Sequence, residues 1–484
     1  MPSIVVSARS GAPSETAADT RVVPLFEGEK LDEPHLQALV DLGEAKPGLK
    51  KVAVDHEDAP GGGRRRVLLA GFGKREELDA EKARVAASAV AGRAKEIGAV
   101  SLSWAAPDAS VADALVEGTL LSLYSFDRFK SKKDDENGDG PGGLESLEIA
   151  GDGVDAQGVE HAAATAIAQN AARDLQNLPA NVADPTFLAA RAEEIATHHD
   201  SLALEVLDRG EIESRGMGAF AAVAQGSDAE PKLIVLRYTG GTSGPHLGFV
   251  GKAVTFDTGG ISLKPSGKMS EMKFDMSGGA AVLESMDAIA ALKLPVTVTA
   301  VVPSTENMPS GHSMRPGDIV TAMNGKTIEI NNTDAEGRLI LADALAYAVE
   351  QGVERIVDLA TLTGAIITAL GSTYAGLFSN DDDWCEQVEQ AGKTTGELGW
   401  RLPFHPEFSE MVKGKYADLD NAPESRKGSS ITAADFLRNF VGDVPWVHMD
   451  IAGTAWDQGR AYVGKGASGY GVRTLVELAR RAAA

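Results

Sequence analysis

Between Asn332 and Leu339 the chain reads NTDAEGRL, which sets the carboxylates of Asp334 and Glu336 two residues apart and the guanidinium of Arg338 two residues further on. Carboxylates at that spacing repel one another unless a cation lies between them. Upstream, Gly251–Pro265 (GKAVTFDTGGISLKP) adds Lys252, Asp257 and Lys264, and Glu271–Gly279 (EMKFDMSGG) adds Asp275. Four carboxylates suit hard or borderline divalent cations and can hold two of them close together. No His or Cys pair stands at metal-ligand spacing to compete for that role. A D-x-E-x-R stretch alone reads more readily as a solvated loop with a capping acid. The return of acids beside glycines, where a backbone can approach closely, raises the chemistry above that reading.

The elements around these segments must bring them together. Thr327–Asn331 alternates apolar and polar residues and predicts a strand, and Leu339–Val349 carries apolar residues at helical spacing. His246–Val250 predicts a strand leading into the first lysine, and Ala280–Met286 a helix following Asp275. The acids therefore fall on turns after strands and at helix N-termini, the crevice where open α/β sheets take their ligands. Further strands are predicted at Leu202–Leu207, Lys232–Tyr238, Val296–Val302, Arg355–Leu359 and Val444–Asp450, several of them continuously apolar, as in a sheet covered on both faces.

The first part of the chain alternates short apolar runs (Ile4–Ala8, Val52–Val54, Arg66–Phe72) with helical stretches (Asp79–Ile97, Ala112–Tyr124), which argues for a separate α/β domain. Gly61–Arg66 reads as a solvated hairpin tip in preference to an anion site, and Ser131–Gly143 as a charged, mobile surface loop. An Ala-rich helix over Ala156–Leu175 contains the expected boundary, giving domains 1–165 and 166–484.

At 484 residues two domains are the natural expectation, and 43% hydrophobic residues suffice for sizeable cores. The net charge of −24 disfavours nucleic acid as a partner. The single cysteine, Cys385, forms no internal disulfide, fits a reducing compartment and has no motif around it that would make it catalytic. Met1–Arg9 lacks the basic start of a secretory leader, and no apolar run reaches membrane-spanning length, so a cytoplasmic protein without a membrane partner is expected.

The segments GKAVTFDTGGISLKP, MKFDMSGG and NTDAEGRL, in this order and at these separations, resemble the three signature segments of the leucyl aminopeptidase family, the two-metal cytosolic aminopeptidases of peptidase family M17. Asp358–Ala365 and His448–Trp456 extend the resemblance, which covers roughly residues 165 to 484. It implies a smaller N-terminal α/β domain of macro-domain type and a larger C-terminal catalytic domain with a mostly parallel, helix-covered sheet. It further implies hydrolysis of the N-terminal residue, preferably Leu or a similar apolar residue, from peptides with a free amino end.

In that likeness Asp257 and Glu336 bridge two divalent ions, Mn²⁺ or Zn²⁺. Lys252 and Asp275 complete the tighter site, and Asp334 the more exchangeable one. Lys252 is an unusual ligand, because keeping an amine of pKa ~10.4 neutral at pH 7 costs roughly 4–5 kcal/mol, which a dication must offset. The same likeness makes Lys264 an electrophile on the scissile carbonyl and has Arg338 grip a bicarbonate ion, the general base, by two bonds. Met272, Thr361, Gly364 and Ala455 match positions lining the pocket for the first side chain, and Leu362 and Asn332 positions holding the peptide backbone. A Met-lined pocket is adaptable, and ordinary core Met is a fair rival reading for Met276 but not for Met272. A homohexamer is implied by the family alone. The rival readings are a two-metal phosphatase, against which the chain lacks a G-x-x-x-x-G-K-[ST] loop, and nucleic-acid binding through the N-terminal domain.

Overall fold

The computed structural model describes residues 4–131, 143–241 and 244–483, so most of the expected mobile loop Ser131–Gly143 lies outside the described residues. The chain divides into two compact units, Met1–Ile167 with Gly459–Gly464, and Ala168–Gln458 with Lys465–Ala484. The division falls inside the helix Ala156–Asn177.

The first unit is built on a six-stranded sheet in the order Val5–Arg9, Ser146–Ala150, Ser101–Ala105, Thr20–Phe26, Arg64–Gly73, Val52–Asp58. All neighbours are parallel except the last pair, which forms the antiparallel hairpin whose tip holds Gly61–Gly63. Helices Ala80–Glu96 and Ala112–Ser122 supply many of the alanines and aliphatic residues that bury Phe72 and Trp104. Asp79 starts the first of these helices by accepting the Lys82 amide, an N-cap bond that satisfies one of the orphan donors of the first turn.

A nine-stranded sheet carries the second unit. Its main path runs Gly399–Arg401, Ala375–Ser379, Trp446–Asp450, Arg355–Ala360, Leu247–Gly251, Thr297–Asn307, Lys232–Thr239, Leu202–Leu207, with Ala253–Asp257 also paired to Thr297–Asn307. The four central strands of that path are parallel, and antiparallel pairs flank them. The eleven-residue strand Thr297–Asn307 holds Leu247–Gly251 along its first half and Ala253–Asp257 along its second. Lys252 sits in the break between those two runs, its amide bonded across to the carbonyl of Leu359. Helices Ser277–Ala291 and Glu336–Glu350 are buried at nearly every position, as the continuously apolar strands demand.

One sequence-based element differs. The strand expected over Thr327–Asn331 stops at Glu329 and belongs to a separate three-stranded sheet with Ile319–Thr321 and Leu419–Asp420. Asn331 leaves the strand because its amide is taken by the side chain of Asn421.

Candidate metal centre

The carboxyl ends of the parallel strands deliver the site. Asp257 ends Ala253–Asp257, Lys252 follows Leu247–Gly251, and Thr361 follows Arg355–Ala360. Asp275 stands two residues before the helix Ser277–Ala291, and Glu336 is the first residue of Glu336–Glu350, where the amide dipoles favour negative charge. Two close approaches depend on glycine. A methyl group on Gly278 would lie 2.0 Å from the Leu359 carbonyl, and one on Gly337 would lie 2.6 Å from both Cε and Nζ of Lys252.

Four carboxylates face two ammonium groups. Lys252 Nζ lies 2.8 Å from Asp275 and 2.9 Å from Glu336 Oε1, and donates to the Thr361 carbonyl at 3.0 Å. Lys264 Nζ lies 2.7 Å from Asp257 Oδ2 and pairs with Asp334. The remaining oxygen of Asp257 accepts from the Gly259 amide and from Asn307 Nδ2, both at 2.8 Å. Asn307 also donates to the Thr333 carbonyl at 3.0 Å, tying the octapeptide to the main sheet. Thr361 Oγ1 donates to Asp275 at 2.7 Å.

Electrostatics mark this cluster as short of positive charge. Burial, joined by the charge of Glu336, pushes Asp257 up to about 6 against the opposing pull of Lys264 and Lys252. Burial likewise raises Asp275 and Asp334. Glu336 moves down, because Lys252 and Lys264 together outweigh its burial. Burial opposes charge on Lys252, yet Asp275, Glu336 and Asp257 hold it as the ammonium. Divalent ions on the same carboxylates would reverse that influence, which is the condition for its amine to act as a ligand.

The residues present fit divalent ions. Asp257, Asp334 and Glu336 place carboxylate oxygens within 4.8 Å of one another, and the buried Glu336 Oε2 meets no hydrogen-bond donor. A fully buried acceptor without a partner is costly in an ordinary fold and is what a cation would satisfy.

Arg338 is buried beside this cluster. Its Nη1 donates to the Asn421 carbonyl at 2.6 Å, and its Nε has no partner. Burial lowers its pKa to about 10 despite the nearby carboxylates of Glu336, Asp450 and Asp420.

A cleft of about 440 Å³ opens over the carboxylates. Of the residues singled out from sequence, Lys252, Asp257, Lys264, Met272, Asp275, Asp334, Glu336, Thr361, Leu362 and Gly364 line it. Asn332, Arg338 and Ala455 do not. Asn332 Oδ1 accepts the Asp334 amide at 2.9 Å and so shapes the turn, and Ala455 is fully buried in the core. The cleft's apolar wall also includes Ile367, Ala452 and Trp456, the last stacked on Phe274 at 5.3 Å. Sequence reading passed over these three, although Ala452 and Trp456 lie inside the quoted run His448–Trp456. Met276 is core, which settles its two readings, and Cys385 is buried with its thiol pushed up to about 11 by burial, an inert environment.

The cytosol aminopeptidase family, catalytic domain, matches residues 170–476, and the N-terminal domain of the same family matches residues 10–133. A probable cytosol aminopeptidase of Solibacter usitatus is 45% identical over 470 residues, 96% of each chain. One from Roseiflexus castenholzii is 44% identical over 488 residues, 98% of this chain and 99% of that one. Among solved structures, a bottromycin maturation enzyme, BotP, in complex with Mn has a TM-score of 0.86 at 34% identity, covering 97% of this chain and 100% of that chain.

Proposed function

The chain belongs to the cytosol aminopeptidase family and is a metal-dependent aminopeptidase, and from that premise we propose how its own residues divide the work. Asp257 and Glu336 would be shared by two divalent ions, Mn²⁺ or Zn²⁺, with Lys252 and Asp275 holding one of them and Asp334 the other. The convergence of Asp257, Asp334 and Glu336 around an unpartnered buried oxygen carries this reading. When bound, such ions supply an activated water and a positive seat for the substrate's amine and carbonyl oxygen.

The chain's residues do the rest. Met272, Ile367, Ala452 and Trp456 form an apolar wall beside the carboxylates, which favours Leu or a similar side chain at the substrate's first position. Thr361 and Gly364 line the cleft alongside them as part of the pocket for that side chain, and Leu362 holds the peptide backbone. Lys264, at the same cleft, offers its ammonium to the carbonyl oxygen as negative charge builds there. Arg338, with an unpartnered buried Nε, would hold a bicarbonate ion, which would supply the general base. A homohexamer is proposed on the family alone and a cytoplasmic setting on the single buried cysteine and the family; among the described residues no helix is long and apolar enough to cross a membrane.

The test compares Leu-p-nitroanilide, its N-acetylated form and p-nitrophenyl phosphate, on chelated protein and after reloading with Mn²⁺ or Zn²⁺. Turnover of the free amine alone, and only with metal, is expected. Equal turnover of the blocked substrate, or full activity after exhaustive chelation, overturns the assignment.

A further inference from the structure

The turn that carries Asp334 lies between the short strand Thr327–Glu329 and the helix Glu336–Glu350, so regular structure fixes only its ends. A single distant side chain occupies much of its backbone. Asn421, fully buried, accepts the amides of Asn331 and Asn332 at Oδ1, at 2.8 and 3.2 Å. Its Nδ2 donates to the carbonyls of Asn332 and Ala335, at 2.8 and 3.4 Å. Two acceptor sites and two donors are all that a side-chain amide has, and here each one is used. Turning the amide over would set its NH₂ against two N–H groups and its oxygen against two carbonyls, so the network fixes its orientation.

The backbone of the same residue extends the grip. The Asn421 amide donates to the Glu329 carbonyl at 3.0 Å, and its carbonyl accepts Arg338 Nη1 at 2.6 Å. The parallel pairing of Ile328 with Leu419 and Glu329 with Asp420 already joins the two segments as a sheet. The side-chain bonds of Asn421 reach past that sheet into the turn.

We propose that Asn421 is a positioning residue of the metal centre. Its side-chain amide holds the Asn331–Ala335 turn so that Asp334 and Glu336 converge with Asp257, and its carbonyl sets the guanidinium of Arg338. The kinetic part of this proposal rests on the aminopeptidase reading above; the structural part does not. No other side chain replaces the amide. Aspartate lacks the donors and faces two carbonyls with a carboxylate, glutamine is a methylene too long for a buried slot, and alanine leaves four backbone groups without their partner.

The experiment uses the full chain with Asn421→Ala, Asn421→Asp and, as a control, Asn439→Ala. Asn439 makes comparable side-chain bonds, to the carbonyls of Asp435 and Phe436, at the end of a different helix. Hydrogen exchange of the peptide spanning residues 330–336, Mn²⁺ titration by calorimetry on chelated protein, and kcat and KM on Leu-p-nitroanilide are measured well below each variant's melting temperature. Both Asn421 variants are expected to exchange faster in that peptide and to bind Mn²⁺ about 10–100-fold more weakly, the usual cost of losing an outer support of metal ligands. Their kcat is expected to fall at least about tenfold with KM within about threefold, as when geometry at the reacting centre is lost and substrate binding is kept. The control should move none of these. Asn421→Asp keeps the acceptor bonds, so it decides the matter alone if Asn421→Ala does not fold. A folded Asn421 variant with wild-type exchange and wild-type Mn²⁺ affinity overturns the proposal. If the wild type hydrolyses no amide while the variants still bind Mn²⁺ more weakly, the aminopeptidase reading fails and the positioning role stands.

Discussion

Among the described residues two places gather acids closely enough to hold an ion, and only one of them is short of positive charge. In the N-terminal unit, Glu33, His35 and Glu57 bring ligand atoms within 4.8 Å, the same closeness found for Asp257, Asp334 and Glu336. There the arginines are already seated. Arg21 reaches both oxygens of Glu33 at 2.9 and 2.6 Å and both of Glu57 at 2.8 and 2.5 Å, and Arg65 adds a bond to Glu57 at 2.6 Å. Planar guanidinium forks match carboxylates bond for bond, and Glu57 titrates below its ordinary value: burial pushes it up, but Arg21 and Arg65 outweigh that. At the metal centre, burial instead raises three carboxyls, and Glu336 Oε2 is left without a donor. Proximity of acids is thus a poor sign of a metal site. Uncompensated charge around an orphaned acceptor is a better one.

That contrast can be broken most severely at Glu336, the acid proposed to be shared by both ions. Glu336→Gln removes charge from the centre of the cluster, so bound metal per subunit should fall and amidase activity should drop to the level of chelated protein, more than the ~10²–10³ cost of a single oxyanion donor. Glu57→Gln, the same chemical change in the arginine-filled cluster, should leave metal content and kcat at wild type. Plasma mass spectrometry paired with kcat reads both; metal lost from Glu57→Gln, or kept by Glu336→Gln, would erase the distinction.

A smaller loss is expected at Arg338, which lies beside the acids and donates its hydrogen bond to the Asn421 carbonyl. Arg338→Ala should keep its metals while activity falls about 10²–10⁴-fold, the range for losing a general acid–base. Loss of metal in this variant would mean that Arg338 supports the ligands and does not serve the proton transfer.

The candidate metal centre is legible in sequence to the extent that its residues are contiguous. Lys252, Asp257, Asp275, Asp334 and Glu336 sit in short runs between strand and helix patterns, and all of them line one cleft. What holds them was not legible. Asn307 and Asn421 act through side-chain amide hydrogen bonds to backbone and carboxylate groups 26 to 90 residues away, and an Asn in a strand end or before Ala-Pro carries no period or motif that points to such a partner. The strand before the octapeptide was seen, but its sheet was not, because alternation reports which face is buried and not which strand lies alongside. Arg21 and Arg65 were equally silent, since two arginines far apart in sequence announce no pairing with Glu57.

The arginine-filled cluster offers the gentlest test, one of stability. Arg21 and Arg65 are 3% and 4% exposed and Glu57 is 11% exposed, so removing the shared carboxylate leaves two nearly buried cations less well paired. Breaking a fully buried pair costs roughly 3–5 kcal/mol, but water reaches Glu57, Arg21 keeps Glu33, and Arg65 keeps the carbonyls of Ser14 and Thr16, so about 2 kcal/mol is the expectation for Glu57→Gln at pH 7. The sign with pH follows from the depressed pKa. In the unfolded chain the carboxyl takes up its proton near its ordinary 4.5, while the folded chain resists protonation, so the stabilisation is present above that value and is lost as pH falls through the lower folded value. Glutamine does not titrate. Urea midpoints of the wild type and Glu57→Gln should therefore lie apart at pH 7 and draw together below pH 4.5. A gap that stays constant down to acid pH would show that the pairing contributes through packing and not through charge, and the two acid clusters would then differ in shape alone.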